Sequence, residues 1–185
     1  LRTNTLKTTP KHLISELKEE NVECFELRGF NDAVQLEEKK NVFLTTAFKE
    51  GLFEVQDAGS QKIGEFLEVE PGMRVVDACA GAGGKTLHLA AMMENKGQII
   101  ALDIYEWKLA ELKRRAKRAG AHNIENRLIT DNKVIKRLHE KADRLLIDAP
   151  CSGLGVLKRN PDSKWKIDQD FIDRIKGEQA QILQD

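Results

Sequence analysis

From Gly51 onward the chain alternates short apolar runs with amphipathic stretches, and few folds accept that order. The pattern predicts a helix over 60–67, a strand over 73–77, a helix over 86–93 and a strand over 98–103. It continues with a helix over 107–119, a strand over 127–130, a weaker helical stretch over 133–139 and a strand over 144–147. Apolar strands separated by helices pair in parallel through right-handed crossovers, which makes this part of the chain α/β, a doubly wound sheet. Residues 1–46 read differently: an extended start over 1–6, a helix after Pro10 carrying Leu13, Ile14 and Leu17, then strands near 22–27 and 34–36. We therefore expect a small α+β unit over 1–50 and the sheet domain over 51–185. Neither an internal repeat nor a low-complexity linker interrupts the chain.

In an open sheet of this kind, ligands sit beyond the carboxyl ends of the strands. The first expected strand ends in Asp77, the second in Asp103, the third near Asp131 and the fourth at Asp148. One aspartate after a strand is commonly no more than a helix cap, but four in succession point to a site. After the first strand runs a glycine turn, Asp77-Ala-Cys-Ala-Gly-Ala-Gly-Gly-Lys-Thr86. Its glycines let the backbone bend and approach a ligand closely, and the helix that follows presents unpaired amides. Cys79, Ala80, Gly81, Ala82, Gly83, Gly84 and Lys85 are thus candidate cofactor contacts. Asp103 follows Gly81 by 22 positions (103 − 81), a spacing at which a carboxylate accepts hydrogen bonds from a ribose. Lys108 falls near Asp103, within reach of the same ligand, and Asp131 and Asp148 complete the acidic edge.

Three cofactor classes compete for this turn. A Walker-type phosphate loop needs a glycine where this chain has Cys79, although Leu145-Leu146-Ile147-Asp148 imitates the apolar strand and magnesium-binding aspartate of such an NTPase. A dinucleotide site wants a third glycine where Gly81-Ala-Gly-Gly-Lys-Thr86 has Thr86. S-adenosylmethionine carries a sulfonium and no phosphate. It needs close backbone approach and a ribose carboxylate, with no metal, and it fits best.

The fourth strand runs into Asp148-Ala-Pro-Cys-Ser-Gly153. A lone cysteine at a strand end is more often a small buried filler than a reactive group. Pro150, Ser152 and Gly153 shift the balance for Cys151, because they set a sharp loop beside the Asp148 carboxylate. Cys79 lies inside the glycine turn, where its backbone rather than its thiol is expected to matter.

Composition limits the setting. With 185 residues and 41% hydrophobic content, the chain can bury one sizeable core and a small appended unit. Three cysteines without zinc-type spacing suit a reducing, cytoplasmic protein better than a disulfide scaffold. No stretch is apolar enough over enough length to cross a bilayer, and the start has neither a signal segment nor an initiator methionine, so we expect a non-membrane piece of a longer protein. Thirty basic residues cancel thirty acidic ones, so any nucleic-acid face must be local. On the 107–119 helix, Leu109, Leu112, Ala116 and Ala119 form an apolar stripe, and Lys113, Arg114, Arg115, Lys117 and Arg118 read as a solvated surface around it.

The glycine turn, Asp103, Asp131, the Asp148–Gly153 segment and Arg159-Asn-Pro-Asp-Ser-Lys-Trp165 together resemble the Sun-type RNA cytosine-5 methyltransferases. The bacterial members that modify small-subunit ribosomal RNA are the nearest in pattern. Leu1-Arg-Thr-Asn-Thr-Leu-Lys7 and the 51–60 segment with Gln56-Asp57 also resemble what precedes the catalytic domain there. One departure is Ala82, where the family usually has proline, which should loosen the loop without removing a contact.

The resemblance implies a Rossmann-like methyltransferase sheet, incomplete at its C-terminal side, with S-adenosylmethionine as cofactor, RNA as partner and a monomeric, cytoplasmic protein. Cytosine carbon 5 is a poor nucleophile, so such enzymes first add a cysteine thiolate to carbon 6, then methylate carbon 5 and expel the cysteine. In this family the attacking cysteine lies in a later Thr-Cys motif, and the cysteine matching Cys151 assists release, with Asp148 placed to orient the cytosine edge. No cysteine follows Cys151 in the 185 residues, so the chain is expected to bind cofactor without turning over. The first 50 residues correspond to an RNA-binding unit, in which Arg2, Lys7, Lys11 and Arg28 would meet phosphates. A P-loop-like NTPase and a non-catalytic RNA-binding fragment are the alternative readings.

Overall fold

The computed structural model describes residues 1–156, 161–165 and 167–185. Of the Arg159–Trp165 segment, Arg159 and Asn160 lie outside the described residues. The N-terminal elements are β1 (Arg2–Thr3), α1 (Pro10–Glu19), β2 (Cys24–Glu26), β3 (Val34–Leu36), α2 (Thr46–Lys49) and β4 (Phe53–Glu54). Helix α1 starts where the Thr9 hydroxyl accepts from the His12 amide, and Pro10, which has no amide to lose, occupies its first position. Leu13 and Leu17 of α1, Cys24 and Val34 of the β2–β3 hairpin, and Phe53 form a core of their own. Each such large side chain, once buried, contributes about 1.5–3 kcal/mol.

Helix α3 (Ala58–Phe66) leads into the sheet: β5 (Arg74–Asp77), α4 (Gly84–Met92), β6 (Gln98–Asp103), α5 (Glu106–Ala119), β7 (Ile124–Leu128), α6 (Asn132–Lys136) and β8 (Arg144–Leu146). The strand order is β7-β6-β5-β8 and all three pairings are parallel. Both faces are covered. Val75, Ile99 and Ala101 point into a cluster with α4 and α5, while Val76, Ile100 and Leu102 pack with Leu138 and the α6 side chains Val134 and Ile135. This is the doubly wound, Rossmann-like arrangement in an incomplete form, with β8 as an edge. The chain runs from β5 outward through β6 to β7 and then returns to place β8 on the other side of β5, so the topological switch point lies between β5 and β8, where such sheets bind ligands.

Strand β7 departs from expectation. It covers Ile124–Leu128 rather than 127–130, because Ile99 pairs with Ile124 and Asp103 with Leu128, which leaves 129–131 past the sheet end. Polar Asn126 is tolerated in the strand because its amide donates to the Leu109 carbonyl of α5 at 2.8 Å. Beyond β8, two short 3-10 turns (Leu154–Val156 and Pro161–Trp165) precede α7 (Gln169–Gln184), which Asp168 caps by accepting from the Phe171 amide. Among the described residues, no helix is long and apolar enough to cross a membrane.

The N-terminal elements pack directly on the sheet domain. β1 pairs with β4, on the far side of the residue-50 boundary read from sequence. The Asn4 amide donates to the carbonyls of Gly51 and Ala119 at 2.7 and 2.8 Å, and the Lys7 ammonium to those of Glu50 and Arg118. Gly51 sits at φ 75°, and a Cβ there would lie 2.1 Å from the Arg118 carbonyl oxygen, so only glycine permits the approach to α5. Two readings change. Arg2 is 2% exposed and cannot meet a phosphate, and Arg115 and Arg118 turn inward to the buried Glu54 instead of joining a solvated face.

Candidate active site

Backbone hydrogen bonds and the Asp103 carboxylate shape the glycine turn from the β6 side. The Ala80 amide donates to the Leu102 carbonyl at 2.8 Å, which ties the turn to β6, and the Gly83 amide donates to the Ala80 carbonyl at 2.9 Å. Asp103, at the end of β6, accepts from the Gly81 amide through one oxygen (2.9 Å) and from the Tyr105 amide through the other (2.8 Å). Gly83 lies at φ 86°, and a Cβ on it would sit 2.0 Å from Leu112 Cδ1 of α5. Because Gly83 is also the N-cap residue, α4 begins without a capping side chain, and its first amides stay available to an acceptor.

In front of the turn opens a cavity of about 260 Å³ lined by Gln56, Ser60, Asp77, Cys79, Ala80, Gly81, Ala82, Gly84, Lys85 and Asp148. It occupies the switch point between β5 and β8. Asp77 is 1% exposed, and its Oδ2 accepts from the Thr86 hydroxyl at 2.7 Å. Its Oδ1 is buried with no partner at hydrogen-bond geometry, although the Cys79 amide lies close enough to favour the charged form. Burial, reinforced by Asp148, pushes the Asp77 carboxyl up to about 6, and the Thr86 hydroxyl pulls it partly back. Gln56 donates to the Ser60 hydroxyl at 3.1 Å, and its Oε1 is likewise buried and unpartnered. Two residues of the cavity wall, Asp77 and Gln56, thus each keep one oxygen buried behind it. Burial, then the neighbouring Asp77, Asp103 and Asp148, raise the Cys79 thiol to about 11, so it is neutral and unreactive at pH 7.

Lys85 spans the cavity mouth, its ammonium 2.5 Å from Asp148 Oδ2, and so joins the glycine turn to the loop after β8. Cys151, three residues past Asp148, is free and exposed. The expected residues from Cys79 to Lys85 therefore meet Asp148 at one site, with Gly83 beneath the turn. Asp103 lies behind the turn and holds it, and Lys108 rests its ammonium 4.4 Å from the Tyr105 ring centroid. Asp131 is exposed, does not line the cavity, and accepts from the Lys133 amide as the cap of α6. Sequence reasoning passed over Asp77 as a ligand and saw Gln56 and Ser60 only as part of a resembling segment. The stretch Gln56-Asp57, a polar pair between Val55 and the α3 helix, was the available signal.

A cavity lined by the carboxylates of Asp77 and Asp148 suits a ligand that brings hydroxyls and an ammonium, and it repels a triphosphate. The Walker-type alternative finds no support: position 79 is Cys, and Lys85 is engaged by Asp148.

Comparison with known proteins agrees with this geometry. Residues 65–185 match the model of the 16S rRNA methyltransferase RsmB/F family. The chain is similar to the ribosomal RNA small subunit methyltransferase B of Proteus mirabilis, at 32% identity over 99% of this chain and 43% of that protein. Among solved structures it is similar to PH0851, with a TM-score of 0.92 and 34% identity over 99% of this chain and 42% of the other. The fold is also that of NSun6 from Pyrococcus horikoshii, solved with SFG, at a TM-score of 0.82 and 22% identity over 94% of this chain and 67% of that one. The chain spans about two fifths of the length of the curated relatives it matches.

Proposed function

This chain belongs to the 16S rRNA methyltransferase RsmB/F family, and from that membership we propose that it carries the cofactor site and part of the catalytic site of an S-adenosylmethionine-dependent methyltransferase acting on carbon 5 of a cytosine in small-subunit ribosomal RNA. The observation that carries the proposal is the convergence, at the β5–β8 switch point, of an uncapped glycine turn with the Asp148–Cys151 loop.

S-adenosylmethionine, when bound, supplies an electrophilic methyl group on a sulfonium. The residues that would hold it follow from their chemistry. The uncapped amides of α4 donate to its carboxylate, the cavity-lining Asp77 carboxylate attracts its ammonium, and Asp103 keeps free lone pairs for ribose hydroxyls. Exposed Ile104, beside Asp103, offers an apolar face to a purine. Asp148 orients the cytosine, with Lys85 holding its carboxylate toward the cavity. Cys151, exposed on the loop, assists release of the methylated base, and the attacking thiolate comes from a cysteine outside these 185 residues. Residues 1–50 form the RNA-facing unit, with exposed Lys11 and Arg28 left to meet phosphates once Arg2 is removed from that role.

The test is a chain extended to the length of the curated relatives, supplied with ribosomal RNA and labelled cofactor. Label should appear as 5-methylcytosine. Cys151→Ala in that chain should accumulate a covalent protein–RNA adduct, visible as a retarded band in a denaturing gel. Label on any other atom would overturn the cytosine-5 reading, and normal turnover by Cys151→Ala would remove Cys151 from the chemistry.

A further inference from the structure

We propose that Arg2 and Arg115 are positioning residues for the cofactor turn, Arg115 anchored by Glu54 and Arg2 set opposite it in the β1–β4 register, so that the N-terminal unit sets the geometry of a cavity to which residues 1–50 contribute no lining side chain. Two backbone carbonyls of the turn receive guanidinium donors. Arg115 Nη1 donates to the Ala82 carbonyl at 2.7 Å, and Arg2 Nη1 donates to the Gly84 carbonyl at 3.1 Å. A peptide unit is planar, so fixing the direction of a carbonyl fixes the amide that follows it. The first contact therefore orients the Gly83 amide, which closes the turn on Ala80, and the second orients the Lys85 amide at the uncapped start of α4.

Glu54 holds Arg115 by hydrogen bonds and acts on Arg2 through charge alone. Glu54 is 3% exposed and stands opposite Arg2 in the β1–β4 register. Arg115 gives it two bonds, at 3.2 and 2.8 Å, and Arg118 a third at 2.5 Å. Two guanidiniums bonded to one buried carboxylate, with a third buried beside them, are a poor device for stability alone, since apolar side chains of similar volume cost less to bury. Two of the three continue to the turn. Arg118 does not: its guanidinium stacks 3.9 Å from the Phe48 ring centroid, within the N-terminal core. It serves as an internal control, because it shares Glu54 but touches no part of the turn. Whatever displaces β1 or β4, including a ligand on the N-terminal unit, is thereby transmitted to the turn, and the coupling is reciprocal.

The consequence for affinity rests on the cofactor assignment above; the consequence for the turn does not. The experiment compares Arg2→Lys, Arg115→Lys and Arg118→Lys in this chain, each confirmed as folded by circular dichroism. Lysine retains the charge near Glu54, but one ammonium cannot replace the guanidinium fork by which Arg115 serves both the carboxylate and the Ala82 carbonyl, or the one that carries Arg2 to the Gly84 carbonyl. Amide hydrogen exchange without ligand should rise at least tenfold over residues 82–86 in the first two variants and stay unchanged in the third. S-adenosylhomocysteine should bind the first two at least tenfold more weakly, while Arg118→Lys loses thermal stability at unchanged affinity. Wild-type exchange over 82–86 in Arg2→Lys and Arg115→Lys, or an equal rise in Arg118→Lys, would overturn the proposal. A wild-type chain that fails to bind S-adenosylhomocysteine would sink the cofactor assignment instead, and the exchange comparison would still decide the role of the arginines.

Discussion

Gly83 concentrates two demands in one residue, a left-handed φ of 86° and a gap to Leu112 that no Cβ can enter. Gly83→Ala combines the left-handed penalty with overpacking, so it should destabilise the chain by about 2–4 kcal/mol in urea unfolding. A loss below about 1 kcal/mol would mean that α5 yields freely. Asp77 makes a prediction of opposite character. Its carboxyl is raised from 3.8 to about 6 in the folded chain, so the folded state holds a proton that the unfolded state releases. The resulting stabilisation is fully present below pH 4 and is lost as pH rises through 6, an effect on the order of 3 kcal/mol. Asp77→Asn should remove that slope from the pH dependence of unfolding between pH 4 and 6, and an unchanged slope would place the titrating group elsewhere. At this scale the sequence was readable where backbone chemistry decides, as in the glycine turn, to which the structure ties Asp103 through the Gly81 amide. It misled where burial decides: nothing in Leu1-Arg-Thr marks Arg2 as a core residue, because its partner Glu54 is 52 positions away (54 − 2).

Elements with a strong apolar period stood out in the sequence. The helix read over 107–119 became α5 with the same four residues buried, Leu109, Leu112, Ala116 and Ala119, and 98–103 became β6 without a shift. β7 was displaced because its Ile124-Glu-Asn-Arg-Leu128 run alternates weakly, and its register comes from pairing with β6 rather than from its own pattern. The same distinction applies between β4 and α5. Glu54 follows Phe53 in a two-residue strand, too short for any period to show, yet it receives both Arg115 and Arg118. Glu54→Ala should cost about 1–3 kcal/mol in unfolding free energy, since it leaves the part-buried guanidiniums of Arg115 and Arg118 without their carboxylate. Glu54→Gln should recover part of the loss by keeping the acceptor oxygen. If both variants unfold like the parent, the network contributes nothing to holding β4 on α5.

At the scale of the molecule, the doubly wound order follows from alternation of strands and helices, but the site follows from where that order reverses, which no local pattern reveals. Asp77 and Asp148 are 71 positions apart (148 − 77), yet they line one cavity because β8 returns to the free side of β5. The same topology accounts for the fate of Asp131, which lies past β7 at the far edge of the sheet and caps α6. A chain with the proposed cofactor cavity and Cys151, without a second exposed cysteine among its described residues, should bind cofactor but transfer no methyl group to RNA by itself. Repeated turnover by these 185 residues would make Cys151 the attacking nucleophile. The central claim, a metal-free S-adenosylmethionine site at the β5–β8 switch point, is tested most directly by calorimetric titration of S-adenosylmethionine into this chain in the presence of EDTA, beside Asp103→Ala and a separate titration with Mg-ATP. The account predicts saturable binding to the parent chain without metal, at least tenfold weaker binding to Asp103→Ala, and no binding of Mg-ATP; absence of S-adenosylmethionine binding together with magnesium-dependent binding of ATP would contradict it.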